Sequence, residues 1–317
     1  MLISLAFVAR HGRAALVLGL LAGLLLPGLA QLLRPFIPHL VALLLFLTAF
    51  RIGARAALGG LNDGVSSLRA VLVLQLALPL VALLLFWLTG VETTHAAIAI
   101  LLMLSAPSVT GSPNITLLLG HAPEPAFRVL ILGTALMPVT IIPIFLLAPS
   151  LGGLQEVIWA ALRLIGAIGL TVTAAFALRR LTLPDLRTDQ VQALDGLTTL
   201  ALAVIVVGLM SALGPALQAS PVVVVKWMAL VLIANLGLQV LTFHVLRWRG
   251  HTHVAVPYGV VSGNRNFALF LIALPASTTD PLLIFLGCYQ VPMYLTAVIM
   301  RRLYAAGQPQ PRVRSGS

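Results

Sequence analysis

The sequence predicts an all-α integral membrane protein: ten transmembrane helices in two inverted five-helix repeats, with discontinuous fourth and ninth helices that cross. Three observations predict it. Hydrophobic residues make up 60% of the chain and charged residues 9%, a balance outside the soluble range. Many apolar runs reach the roughly 20 residues that span hydrocarbon as a helix. Two of those runs carry matching polar interruptions, V-T-G-S-P-N at 109–114 and V-S-G-N-R-N at 261–266. Gly111 and Gly263 lie 152 residues apart, as do Asn114 and Asn266, and Val109/Val261, Leu117/Leu269, Leu119/Leu271 and Pro123/Pro275 share that offset. Paired interruptions in the two halves of a polytopic chain point to a transporter binding site.

The ten spans are read at 14–33, 37–56, 67–89, 94–120, 125–147, 155–178, 194–213, 221–246, 254–275 and 280–303. Arg10 and Arg13 ahead of 14–30 resemble a signal peptide, but the first helix is read as retained, since its loss leaves an odd count and spoils the repeat. Connections are short; the longest, Arg179–Ala193, holds Pro184, Asp185, Arg187 and Asp189 and reads as solvated. Residues 1–150 form the first repeat and 151–305 the second, and 306–317 read as a disordered cytoplasmic tail.

Alternate connections carry 15 of the 19 basic residues, the others carry Arg34, Arg163 and Lys226, and Arg265 stands apart within a span. This asymmetry puts both termini in the cytoplasm, in the inner membrane of a bacterium. It also accounts for the net charge of +11 without nucleic acid, because the arginines sit in short loops and not on one basic face. The partners expected are the lipid bilayer and a small organic anion; oligomeric state is not legible. Cys288 is the single cysteine, so no disulfide or cysteine-based metal site forms within the chain. His251 and His253 lack a nearby third ligand, and no cofactor is expected.

At the first break, Gly111 supplies backbone freedom, Ser112 reads as an N-cap and Pro113 as the first helical residue. At the second, Gly263 supplies the freedom while Asn264 and Arg265 hold the corresponding positions. Because five is odd, the second repeat runs inverted, and the two new helix starts face each other as an anion site. An arginine deep in the bilayer costs about 2.5–3.5 kcal/mol even on lenient insertion scales. Arg265 must therefore face a cavity or partners: it holds the break together in place of a cation, or it binds a substrate carboxylate bidentately. Asn266, Asn264, Ser262, Asn114, Ser112 and Thr116 complete the expected substrate-binding set. Asn235 and Gln239 read as helix–helix hydrogen-bonding groups.

The segments P-x-x-T-G-S-x-N-x-T at 107–116 and G-N-R-N-F-A-L at 263–269, with Gln75 followed by Pro79, resemble the bile acid:sodium symporter family over nearly the whole chain. The resemblance implies crossed discontinuous helices, organic-anion transport by alternating access, and sodium sites lined by Gln75, Thr116 and Ser112. Sodium-coupled members carry a glutamate beside the ninth-helix break and a glutamine after it; Val261 and Arg265 stand there instead. The family's Ser-Asn pair in the fourth helix falls on Ser112 and Pro113. Asp63, Glu92, Glu124, Glu156, Asp185, Asp189, Asp195 and Asp280 all lie in connections or near span ends, so no carboxylate is available at depth to ligate Na⁺ or relay a proton. A facilitator or exchanger follows, not an enzyme. A sodium symporter using neutral oxygen ligands and a non-transporting sensor are the rival readings.

Overall fold

The computed structural model describes residues 2–59 and 64–305. Asp63 and the expected tail at 306–317 lie outside the described residues. The chain is an integral, multi-pass membrane protein. Among the described residues, seven helices are long and apolar enough to cross a membrane, and eight if a pair bent by 85° near Gly12 counts as one span. The expected fourth and ninth spans fall outside that count because each is interrupted.

The helices in order are α1 (Leu2–Arg10), α2 (Gly12–Leu25), α3 (Pro27–Leu33), α4 (Ile37–Ile52), α5 (Ala54–Gly59), α6 (Gly64–Leu72), α7 (Leu78–Thr89), α8 (His95–Ser105) and α9 (Ser112–Leu118). The order continues with α10 (Glu124–Leu147), α11 (Leu154–Thr182), α12 (Thr188–Leu209), α13 (Leu213–Ala219), α14 (Pro221–Trp248) and α15 (Thr252–Gly263). Last come α16 (Phe270–Ala273), α17 (Ala276–Thr279), α18 (Leu283–Ile299) and α19 (Arg301–Ala305). The break expected near residues 34–36 falls instead at Leu26. Pro27 biases the preceding residue away from helical backbone, whereas Pro35 sits in the first turn of a 3₁₀ segment, where a missing N–H costs nothing.

Packing sorts these elements into two bundles. One is α1–α4 with α11 and α12; the other is α6–α10 with α14, α15 and α18. In the first, glycines of α2 and α12 meet the neighbouring backbone closely: a Cβ on Gly19 would lie 2.8 Å from the carbonyl oxygen of Ala203. Small residues at such crossings let helices approach and gain dispersion contact, which replaces the hydrophobic effect in lipid. The α4 C-terminus is closed by Arg179 of α11, whose Nη1 donates to the carbonyls of Phe50 (2.9 Å) and Arg51 (2.7 Å). Gly53 follows with φ +73°, and a side chain there would strike the same guanidinium.

α6 and α7 are one span joined by a π-turn at Val73–Ala77. Pro79 has no N–H to give Gln75 and crowds the preceding turn, and a π-bulge absorbs the mismatch. The N–H of Leu78 bonds to the carbonyl of Val73 and not to that of Leu74, so the Leu74 carbonyl is released toward the second bundle's interior.

Candidate functional site: the crossed breaks

Both expected interruptions are present. α8 ends at Ser105, and the chain is irregular until α9 starts at Ser112; α15 ends at Gly263 and the next helical turn is a 3₁₀ segment at Phe267–Leu269. Between them the two extended pieces cross as an antiparallel bridge at Ser108 and Arg265. The N–H of Val109 donates to the carbonyl of Asn264 (2.9 Å), and the N–H of Asn266 to that of Pro107 (2.8 Å). Each break thus supplies partners for the other, as backbone freed inside a bilayer requires.

Arg265 occupies the centre. It is 2% exposed. Nε donates to the carbonyl of Ser262 (2.9 Å), one Nη to Ala106 (3.0 Å) and the other to Leu74 (3.0 Å). Ser262 and Ala106 belong to the C-terminal ends of α15 and α8, and Leu74 is the carbonyl that the π-turn released. A fixed cation therefore sits where two helix C-termini converge, the arrangement the helix dipole favours. The backbone N–H of Arg265 donates to the Tyr289 hydroxyl (2.9 Å), which donates in turn to the Gly263 carbonyl.

Two expectations about the breaks are corrected. Gly111, not Ser112, is the N-cap of α9, and Ser112 and Pro113 fill its first two positions. Asn264 closes α15 and Asn266 precedes the 3₁₀ turn, so Asn264 and Arg265 do not start the second half-helix. The cause is the bridge: residues 264–266 must run extended to pair with 107–109. Neither glycine supplies left-handed backbone. Gly111 has φ −78° and ψ −12° with open space where a side chain would go. Gly263 is needed for close approach instead, because a Cβ there would run into the Asn235 backbone carbonyl and the Gln239 side chain of α14.

Around Gly263 lies a buried network. The amide nitrogen of Asn235 donates to the Gly263 carbonyl and to Oδ1 of Asn264, and Gln239 Nε2 donates to Oδ1 of Asn235 (2.7 Å) and to Thr296 (3.2 Å). Tyr304 donates to Gln239 Oε1 (3.1 Å). Asn235 and Gln239 thus tie helices together, as expected of polar residues in apolar surroundings. Tyr289, Thr296 and Tyr304 join this network from positions far from the breaks in sequence, where they carry no local signal.

The remaining expected residues divide by environment. Ser112, Thr116, Ser262 and Asn264 are buried. The Thr116 hydroxyl donates to the Ser112 carbonyl (2.9 Å), Ser108 to the Ser112 hydroxyl (2.8 Å), and Ser262 to the carbonyls of Gly259 and Leu238. Gln75 donates to the carbonyl of Gly133 and to Thr140 in α10, both at 3.0 Å. No hydrogen bond among the described residues joins Gln75 to Thr116 or Ser112. Asn114 is exposed on the same side of α9 as Leu117 and Leu118, whereas its sequence counterpart Asn266 is half-buried and lines a cavity.

That cavity, of about 400 Å³, lies between the bundles. α4 and α11 wall one side, α10 and the crossing the other. Its surface is apolar with Thr48, Thr110, Thr134, Thr173 and Asn266 spaced along it. Ile52, Thr173 and Phe176 also line a wider vestibule of about 980 Å³, whose mouth carries Arg55, Arg179, Arg180 and Asp185. These three shared residues place the cavity and the vestibule next to each other on the arginine-rich side. At the other end the bundles are latched: Arg34 pairs with Asp280 at 2.6 Å, and Arg163 donates to the Ala273 carbonyl at 3.5 Å. Neither protein-family models nor curated proteins give a match to this chain.

Proposed function

We propose that this protein is a secondary transporter that carries a small organic anion across the membrane by alternating access, in the manner of the bile acid:sodium symporter family. In this reading the chain crosses ten times, as two inverted halves, with both termini in the cytoplasm. Each half gives its first two spans to one bundle and its last three to the other. The observation that carries the reading is the pair of crossed, hydrogen-bonded breaks beside a cavity that lies between the two bundles. A rigid crossing with a cavity between two bundles is what a rocking transporter needs, and irregular backbone at depth is tolerated where protein or a water-filled cavity surrounds it.

Arg265 serves as a built-in cation. It neutralises two helix C-termini that a bound metal ion would otherwise neutralise, so transport requires no sodium. Its donors are directed at carbonyls, and the substrate-facing polar groups are Asn266 and the cavity threonines. The vestibule arginines draw the anion in by their field.

Purified protein in liposomes is expected to move small carboxylates or sulfonates down their own gradient with or without Na⁺. Uptake that depends steeply on a sodium gradient would restore the neutral-oxygen sodium site. Zero flux of every anion tried by folded protein would favour the non-transporting sensor. Within this reading, Thr134→Phe fills the cavity and should lower flux by at least about ten-fold, with a melting temperature within about 4 °C of the parent. Loss of fold in that variant would mark Thr134 as a packing residue.

The Arg34–Asp280 latch makes a second prediction. Its side chains are 40% and 48% exposed, and exposed pairs contribute only about 0–1 kcal/mol. Asp280→Asn should therefore shift the balance toward the opposite-facing state by no more than about five-fold. A cysteine placed at Leu274, with buried Cys288 as the single native thiol, reports this as faster labelling by a membrane-impermeant maleimide. Unchanged labelling would remove the pair from the gate.

A further inference from the structure

A second cavity, of about 580 Å³, lies outside the crossing, between α6–α7 and α14, two stretches that leave a gap in the bundle wall. Val254 and Tyr258 of α15 form its floor. Its two ends differ in chemistry. At the arginine-rich end stand Arg69, Arg249, His251 and His253, all exposed, and no acidic side chain lines the cavity among the described residues. Deeper in, the walls are Val73, Leu74 and Leu78 on one side and Leu238, Leu241 and Val245 on the other. Val73 and Leu241 are 57% and 56% exposed, so this length opens sideways to hydrocarbon. From Arg249 to Leu238 a helix rises about 16 Å, enough for most of one acyl chain.

We infer that this groove binds an anionic phospholipid from the leaflet on the arginine-rich side. Its phosphate lies between Arg69 and Arg249, and one chain lies along the two leucine and valine walls. Charge complementarity and the lateral opening select this occupant: a soluble anion has no use for the apolar length, and a zwitterionic lipid gains little from unopposed cations. Basic pockets between transmembrane helices are general sites for anionic headgroups. The site also touches the crossing indirectly. Leu74 is the wall residue whose carbonyl holds Arg265, and the Leu238 carbonyl holds Ser262. A seated chain packs against both, so the lipid steadies the break from outside.

The test is retention of lipid by the detergent-purified full chain, read by native mass spectrometry. Phosphatidylglycerol is compared with phosphatidylcholine of the same chains, and glycerol phosphate serves as competitor. Wild type should retain the anionic lipid preferentially, and glycerol phosphate at equal concentration should not displace it. Each arginine near an anionic surface contributes about five-fold, so the double variant Arg69→Gln/Arg249→Gln should lose the preference by about 25-fold. Arg301→Gln/Arg302→Gln, at the same end but outside the groove, should keep it. Equal retention of the two lipids by wild type would overturn the inference without any variant. Displacement by glycerol phosphate would make this a site for a soluble anion, and an unchanged preference in the double variant would place the lipid elsewhere.

Discussion

Replacing Arg265 with alanine should cost more stability than any other single polar substitution in the chain, and should abolish transport. The side chain gives three donors to three carbonyls, of Ser262, Ala106 and Leu74, at 2.9–3.0 Å in a region 2% exposed. None has another route to a partner: two end broken helices, and the third was freed by the π-turn. An orphaned buried acceptor costs about 1–3 kcal/mol, so three of them should cost roughly 3–9 kcal/mol before the exposed helix dipoles are counted. A fall of about 10 °C in melting temperature corresponds to this. Arg265→Lys keeps the charge, but its three donors radiate from one nitrogen and cannot span three carbonyls that Nε and the two Nη atoms reach separately; an intermediate loss is expected. The informative arm is rescue. If the guanidinium is a tethered substitute for a free cation, Arg265→Ala in detergent should be re-stabilised by millimolar methylguanidinium or by Na⁺, and the parent by neither. A melting temperature within 2 °C of the parent, with no cation response, would show that the carbonyls find other partners.

The sequence makes the breaks visible because helix-breaking residues are local signals. Gly111, Pro113, Gly263 and Asn264 interrupt runs of apolar residues, and a charged residue among them stands out by its cost in lipid. It also makes visible that Asn235 and Gln239 join helices, since an amide in an apolar span must find a partner. What it leaves hidden depends on the third dimension. The S-P pair at 112–113 is a fair start signal, but the bridge at Ser108 and Arg265 decides where the half-helices begin, and that pairing joins residues 157 apart. Asn114 and Asn266 match in sequence yet lie in different surroundings, because α9 turns Asn114 outward while the extended chain turns Asn266 to the cavity. Pro79 enters the sequence reading only within a motif beside Gln75, and nothing local says that the Leu74 carbonyl will be freed and answered by Arg265. Tyr289 and the cavity threonines are invisible for the same reason: hydroxyl groups are common in membrane helices and carry no spacing signature.

The two break glycines, alike in sequence, should respond oppositely to substitution. Gly111 has ordinary helical backbone angles and nothing near the place where a Cβ would go. Gly111→Ala should be neutral or stabilising by up to about 1 kcal/mol, since it removes freedom from the unfolded chain only. Gly263 is different. Its Cα lies against α14, where a side chain would meet the carbonyl oxygen of Asn235, which is backbone and cannot swing aside, and the Gln239 stem. Gly263→Val must push α15 off α14. Overpacking of this kind costs about 1–3 kcal/mol. The displacement also breaks the bond from Asn235 to the Gly263 carbonyl, adding about 1–3 kcal/mol for the buried group left unpaired. Because Gly263 lies two residues from Arg265, the shift carries the guanidinium away from Ala106 and loosens the bridge. Gly263→Val should therefore approach Arg265→Ala in melting temperature, and the double variant should lose less than the sum, since both damage one network. Additive losses would mean that the glycine contact and the arginine clamp hold the crossing independently.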